Sequence, residues 1–216
     1  MIEAVIWDID GVVLDSEQIH AETEAEVAGN FGIIISPIEV IKLYSGVYID
    51  QEFEDMARRF DRNILLQEAL AIRRQILARH VEEGIPTIPG ASEVLNSISE
   101  RYKLGLVTSS ERNFIEPALN KLGLLDLFQA RIYAGEVKHP KPHPEPFLKA
   151  AEILNIQPNQ AVVVEDSVSG FEAARAAGML LIARRAEHNR HIDFSLADYV
   201  IEDLREIPKV LEQFKQ

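Results

Sequence analysis

Cysteine is absent from the 216 residues, so the chain has no disulfide framework and no thiol chemistry. That absence is compatible with a reducing compartment without pointing to one. Positive charge is scarce: 22 Lys and Arg face 35 Asp and Glu, a formal net charge of -13. A surface this acidic repels phosphate backbones and anionic lipid, so neither nucleic acid nor membrane is an expected partner, and an anionic substrate must meet a local basic site. No apolar run approaches the ~18–20 residues that span a bilayer. Glu3 and Asp8 interrupt any leader-like apolar core near the start. The expectation is a soluble, cytoplasmic protein. Oligomeric state has no signature in the sequence. The hydrophobic content of 47% suits one large α/β domain, or one domain with a smaller insert.

One stretch stands out, Asp8-Ile9-Asp10-Gly11-Val12-Val13-Leu14-Asp15-Ser16-Glu17, which follows the apolar run Ala4 to Trp7. The run reads as a strand buried on both faces. Two carboxylates at i and i+2 therefore sit where a buried strand ends, which in open α/β sheets is where ligands bind. A strand that merely ends in turn-forming Asp and Gly would look the same.

From Ser16 to about Gly84 the periodicity is helical. Helices are expected from Ser16 to Gly29-Asn30, from Ser36-Pro37 to Gly46, over 50–60 and over 64–83, with no strand among them. Ser36, Pro37 and Glu39 have the pattern of an N-cap, a Pro at N1 and an acid in the first turn. After the punctuated linker 85–90 the chain alternates. Strands are expected at 104–107, 128–133, 161–164, 179–183 and 199–201, and helices at 91–101, 111–122, 145–155, 168–177 and 203–214. Repeated βα units argue for a doubly wound parallel, Rossmann-like sheet. The expected division is an α/β core of 1–15 and 86–216 with an all-helical insert over 16–85.

Three apolar strands end in polar residues: Asp8 to Asp10, Thr108-Ser109-Ser110, and Glu165-Asp166. In a parallel sheet these ends share one edge, and Lys141 lies in the loop after a fourth strand. Clustered carboxylates repel unless a charge offsets them, and oxygen donors favour Mg²⁺. Such a set resembles a phosphoryl-transfer centre: one Asp attacks phosphorus, cations hold the oxygens, hydroxyl and N–H donors cradle them, and the acid at i+2 handles protons. Each part has a plainer reading. Thr108-Ser109-Ser110 and Glu165-Asp166-Ser167 could be helix caps, Lys141 a solvated loop lysine, and His20 a structural or exposed residue. Agreement of order, edge and residue type across separate segments raises the joint reading.

With these residues in hand, the chain resembles the haloacid dehalogenase superfamily, in its beta-phosphoglucomutase- and phosphatase-like group with a helical cap. The first motif is matched by Asp8 to Glu17, the second by Thr108, the third by Lys141-Pro142-His143-Pro144-Glu145-Pro146-Phe147, and the fourth by Val162 to Gly170. The resemblance implies Asp8 as a nucleophile that becomes phospho-aspartate, and Asp10 as general acid/base. It implies Thr108, with Ser109, and Lys141 on the phosphoryl group, and His20 near the substrate and tied to cap closure. Mg²⁺ is implied on Asp8, Asp10, Asp166 and Glu165. The implied substrate is a small phosphorylated metabolite, perhaps a sugar phosphate. Where the mutase has Gly-Val-x-Arg, this chain has Gly46-Val47-Tyr48-Ile49. Ile49 cannot pair with a distal phosphate, which disfavours a phosphomutase relative to a phosphatase unless Arg73, Arg74 or Arg112 takes its place. The dehalogenase branch lacks the second Asp, and the phosphonate-cleaving branch needs a cap lysine, for which only Lys42 is available. A phospho-accepting signalling module on a similar sheet is the alternative from another class; it would have no helical insert after the first strand.

Overall fold

The apolar run before the first acids is strand β1 (Ala4–Trp7), and none of its residues is accessible to solvent. A computed structural model describes residues 1–44, 47 and 49–214. In it β1 lies inside a six-stranded sheet with β2 (Lys103–Val107), β3 (Ala130–Ile132), β4 (Ala161–Glu165), β5 (Leu180–Arg184) and β6 (Tyr199–Ile201). The order is β3-β2-β1-β4-β5-β6, and every neighbouring pair is parallel. Trp7 stands opposite Leu106 and Val164, so Asp8, Thr108 and Glu165 leave the sheet close to one another.

Alternation along the strands covers both faces. Ala4, Ile6, Val163 and Leu181 join one core with Phe147 of α7 (Glu145–Leu154) and Phe171 of α8 (Val168–Ala176). Val5, Trp7, Leu106, Val162 and Val164, of opposite parity, are equally buried. The sheet is therefore the doubly covered kind that near-continuous apolar strands require. Helices α5 (Ala91–Ser99), α6 (Arg112–Lys121) and α9 (Ile207–Gln213) complete this part. Most expected elements fall within two residues of the observed bounds, and two differ more in extent. The strand expected at 128–133 is confined to Ala130–Ile132, because Phe128 N donates to Leu125 O and closes a 3₁₀ turn over Leu125–Leu127. The last helix opens as a 3₁₀ turn, Leu204–Glu206, capped by Asp203, and becomes α-helical where Pro208 occupies the first turn.

The chain divides into two compact units, residues 1–15 with 86–216, and residues 16–85. Within the first, the segments leading to and from the other unit are paired: Asp15 N donates to Pro86 O at 2.9 Å and Ile88 N to Val13 O at 2.9 Å.

Residues 16–85 contain α1 (Glu17–Asn30), α2 (Pro37–Tyr44), α3 (Ile49–Arg59) and α4 (Leu66–Glu83), and no strand among the described residues. Ser36 and Glu39 form the capping box expected before α2: Ser36 Oγ and N donate to Glu39 Oε2, and Glu39 N to Ser36 Oγ. Gly46, the expected stop of α2, and Tyr48 of the run Gly46 to Ile49 lie outside the described residues. Val27, Ile33, Val40, Phe53, Met56 and Ile76 make the apolar interior.

That interior also holds charge. Glu24 and Glu52 are 3% and 5% exposed. Arg73 Nε donates to Glu24 Oε1 at 2.8 Å, and Arg73 Nη2 lies 3.1 Å from His20 Nδ1. Among the described residues, Glu24 Oε2 and Glu52 Oε1 have no hydrogen-bond partner. Burial first, and the Glu24 charge second, push Glu52 up to about 9, against the opposing pull of Arg73. Glu52 is thus neutral when folded at pH 7 and ionised when unfolded, so it contributes most to stability below its unfolded value and loses that contribution as pH rises towards 9. Glu52→Gln removes this dependence. The expected gain over wild type is up to about 3 kcal/mol at pH 7 and small at pH 5. Urea unfolding of both proteins at each pH measures it; an equal difference at the two values would mean that Glu52 is ionised in the fold.

Candidate active site

The acids that follow β1 sit in a tight turn. Val13 N and Leu14 N both donate to Ile9 O, and Gly11 N donates to Leu14 O. Gly11 has φ +70°, and a Cβ there would collide with Asp166 Oδ2. Glycine is required both for the turn and for the approach of the Asp166 carboxylate.

Lys141, in the loop between β3 and α7, is 3% exposed, not a solvated loop lysine. Its ammonium donates to Asp8 Oδ1 at 2.6 Å, Glu165 Oε1 at 2.7 Å and Val107 O at 3.1 Å. All its N–H donors are therefore used, on the ends of β1, β2 and β4 at once. Burial alone would lower the Lys141 pKa, but Asp8 and Glu165 more than offset it and raise the value, so the side chain is a fixed cation. Asp8 is held well above the usual carboxylate range. Burial is the main cause; Lys141 opposes it, and Glu165, Asp166 and Asp10 add to it.

Glu165 is fully committed. Its Oε1 takes Lys141, while Oε2 accepts from Asp166 N at 2.6 Å, Ser167 N at 2.7 Å and Ser167 Oγ at 3.0 Å. A Cβ on Gly170 would collide with this carboxylate. Ser167 is indeed a helix cap, accepting from Gly170 N at 3.1 Å, so the capping reading of Glu165-Asp166-Ser167 and the site reading hold together. Thr108 is not a cap: Glu111 holds the N-cap position of α6. Thr108 Oγ1 donates to Asp10 Oδ2 at 3.0 Å and accepts from Ser110 N at 3.0 Å.

Asp8, Asp10, Thr108, Lys141, Glu165 and Asp166 are thus brought to one edge of the sheet. Ser109 is exposed beside them. His20 belongs to the other unit, where Arg73 is its neighbour. Of the arginines considered as grips for a second phosphate, Arg73 is engaged by Glu24, and Arg112 by Glu116 and Glu136.

No group of three or more His, Asp or Glu among the described residues forms a ready-made metal cage. Mg²⁺ does not demand one: it usually keeps several waters and binds one or two carboxylates together with substrate phosphate oxygens. The donor set fits it. It is all oxygen, and around Asp8 the other carboxylates outnumber the opposing Lys141. Residues the sequence did not single out also reach the site. His188 and Asn189 contact Asp166, and Arg184 contacts Gly11.

A parallel α/β sheet whose first strand ends in paired carboxylates, with a helical unit inserted directly afterwards, has the architecture of an aspartate-based hydrolase. The chain belongs to the haloacid dehalogenase-like hydrolase family, which it matches over residues 5–184. It is 35% identical over 178 residues to fructose-1-phosphate phosphatase YqaB of Escherichia coli, covering 81% of this chain and 92% of that protein. It is 32% identical over 211 residues to hexitol phosphatase B of the same organism, covering 95% and 94%. A crystal structure of CbbY from Rhodobacter sphaeroides in complex with phosphate superposes with a TM-score of 0.86 over 96% of each chain at 22% identity, a likeness of fold. No helix among the described residues is long and apolar enough to cross a membrane.

Proposed function

We propose that the chain is a Mg²⁺-dependent phosphatase of small phosphorylated metabolites, sugar or sugar-alcohol phosphates in particular, acting in the cytoplasm through a phospho-aspartate. The observation that carries this reading is the Lys141 ammonium bound at once to Asp8 and Glu165. It holds a buried carboxylate at the sheet edge beside a second acid, Asp10.

Asp8 attacks phosphorus and the P–O bond to the alcohol breaks. Asp10, oriented by Thr108, gives a proton to the leaving oxygen. Asp10 then takes a proton from water, which attacks phosphorus, frees phosphate and restores the Asp8 carboxylate. Asp8, the Asp10 carbonyl and Asp166 would hold the metal, with Glu165 supporting from outside because its oxygens already serve Lys141 and the start of α8. When bound there, Mg²⁺ supplies charge compensation for the phosphoryl oxygens. Ser109, exposed at the end of β2, is assigned to the phosphoryl oxygens. Residues 16–85 are assigned as the cap, with His20 on the substrate. The relatives named for fructose 1-phosphate and hexitol phosphates support a polyol-bearing substrate. Ile49 in the first turn of α3, and the engagement of Arg73 and Arg112, speak against a fork for a second phosphate.

The test is phosphate release from a panel of sugar, hexitol and sugar-acid phosphates, with Mg²⁺ and with chelator. Release is expected to fall at least about a hundredfold on chelation, since a bound cation supplies several kcal/mol of transition-state stabilisation. Conversion of a hexose 1-phosphate to the 6-phosphate with little free phosphate would instead make the protein a mutase. A stable phospho-Asp8 without turnover would make it a signalling module.

A further inference from the structure

The segment after β5 turns back onto the site. Arg184 Nη1 donates to Gly11 O at 2.5 Å, in the turn that carries Asp8 and Asp10. Asn189 closes the bend that follows: its Oδ1 accepts from Ala186 N at 2.7 Å, and its Nδ2 donates to Arg184 O at 2.9 Å and to Asp166 O at 2.8 Å. The bend sets His188 against the Asp166 side chain, with Nε2 2.9 Å from Oδ2. Against an ionised carboxylate, which only accepts, the tautomer with its proton on Nε2 is the one that makes this hydrogen bond. A Cβ on Gly11 would collide with Asp166 Oδ2 and stand 3.4 Å from His188 Cε1, so the glycine leaves room for both groups. The carboxylate and the imidazole meet over this glycine, and the Asp166 backbone carbonyl is tied down by Asn189.

We propose that His188 is a positioning residue: by donating to Asp166 Oδ2 it fixes that carboxylate in the orientation that receives the divalent cation, and so sets the metal affinity of the site. This rests on the assignment of Asp166 as a metal-binding carboxylate. Ligating carboxylates are commonly oriented by such outer hydrogen bonds, and losing one weakens metal binding about 10–100-fold. A chain segment far from the acid motifs, with no recognisable spacing, thereby acts on the chemistry through one hydrogen bond.

The experiment is Mn²⁺ binding to the full-length protein without substrate, followed by the electron paramagnetic resonance signal of free Mn²⁺. It is run on wild type, Asp166→Ala, His188→Ala and His188→Gln, with circular dichroism as a check on folding. His188→Ala is expected to bind Mn²⁺ about 10–100-fold more weakly than wild type. His188→Gln, whose amide N–H can still donate, is expected to recover most of the loss. In phosphate release, the Mg²⁺ concentration for half-maximal rate shifts by the same factor, while the rate at saturating Mg²⁺ stays close to wild type. Equal Mn²⁺ affinity in wild type and His188→Ala, with Asp166→Ala weakened, overturns the proposal alone. Equal affinity in wild type and Asp166→Ala overturns the metal assignment and the proposal with it. A fall in melting temperature at unchanged affinity would reduce His188 to a structural role and also overturns it.

Discussion

Asp8→Asn is expected to lower phosphate release by about 10⁴-fold or more while leaving the fold intact. Loss of a nucleophile that forms a covalent intermediate is among the largest single-residue effects on an enzyme. An amide keeps the shape of the carboxyl group but cannot take up the phosphoryl group. The fold should survive because Asp8 is costly where it stands. Burial and the surrounding acids already hold its carboxyl above the usual range, and only Lys141 opposes them. Removing that charge relieves repulsion, and the Lys141 ammonium keeps Glu165 and the Val107 carbonyl. Rapid acid quench with labelled substrate should trap phosphoprotein from wild type and none from the variant. Retention of more than about one per cent of the wild-type rate would remove Asp8 from the nucleophile's role, since general contributions of binding and electrostatics account for the residual rate only at far lower levels.

Lys141→Met should have the largest combined effect on stability and activity. The methionine side chain has a similar length and no charge, so Asp8 and Glu165 would be left buried without their shared cation. Breaking a buried ion pair by removing one partner costs about 3–5 kcal/mol. The sign of the pH dependence follows. Without Lys141, the Asp8 pKa in the folded protein rises further above its unfolded value. Stability of the variant is then greatest below the unfolded value and is lost as pH rises. The gap in melting temperature between wild type and variant should accordingly widen from pH 5 to pH 8. A gap constant with pH would show that lost packing against Phe147, whose ring centre lies 5.2 Å from the ammonium, outweighs the electrostatics. Phosphate release should fall as well, even at pH 5, where the loss of stability is smallest, because Asp8 no longer has the ammonium that holds it.

The strand ends could be read from the amino acids because each is an apolar run that stops abruptly in residues with chemistry: Trp7 to Asp8, Val107 to Thr108, Val164 to Glu165. A parallel sheet turns such stops into neighbours. Lys141 stood out through the motif it opens, Lys141-Pro142-His143-Pro144, since its loop alone is equally compatible with a solvated lysine. What the Lys141 ammonium touches could not be read, because its contacts join residues more than thirty and more than a hundred positions away. The full commitment of Glu165 was hidden for another reason. It depends on two backbone N–H groups and a Cβ-free position at Gly170, and none of these is a spacing rule. Nothing in the sequence marks Arg184, His188 and Asn189. They belong to β5's last residue and an irregular bend, where no periodicity marks one residue over the next. In the helical unit the apolar spacing was clear, but a polar cluster on a buried face is indistinguishable in sequence from exposed Glu and Arg.

The position of β1 inside the sheet has a consequence for synthesis. The first strand made is flanked by β2 and β4, so during translation it has neither partner until residues 103–107 and then 161–165 have left the ribosome. Residues 16–85 form a compact unit whose internal contacts are all local in sequence, so that this stretch can fold first. The apolar tetrapeptide Ala4–Trp7 meanwhile stays unpaired on the nascent chain, the kind of exposed segment that aggregates or recruits a chaperone.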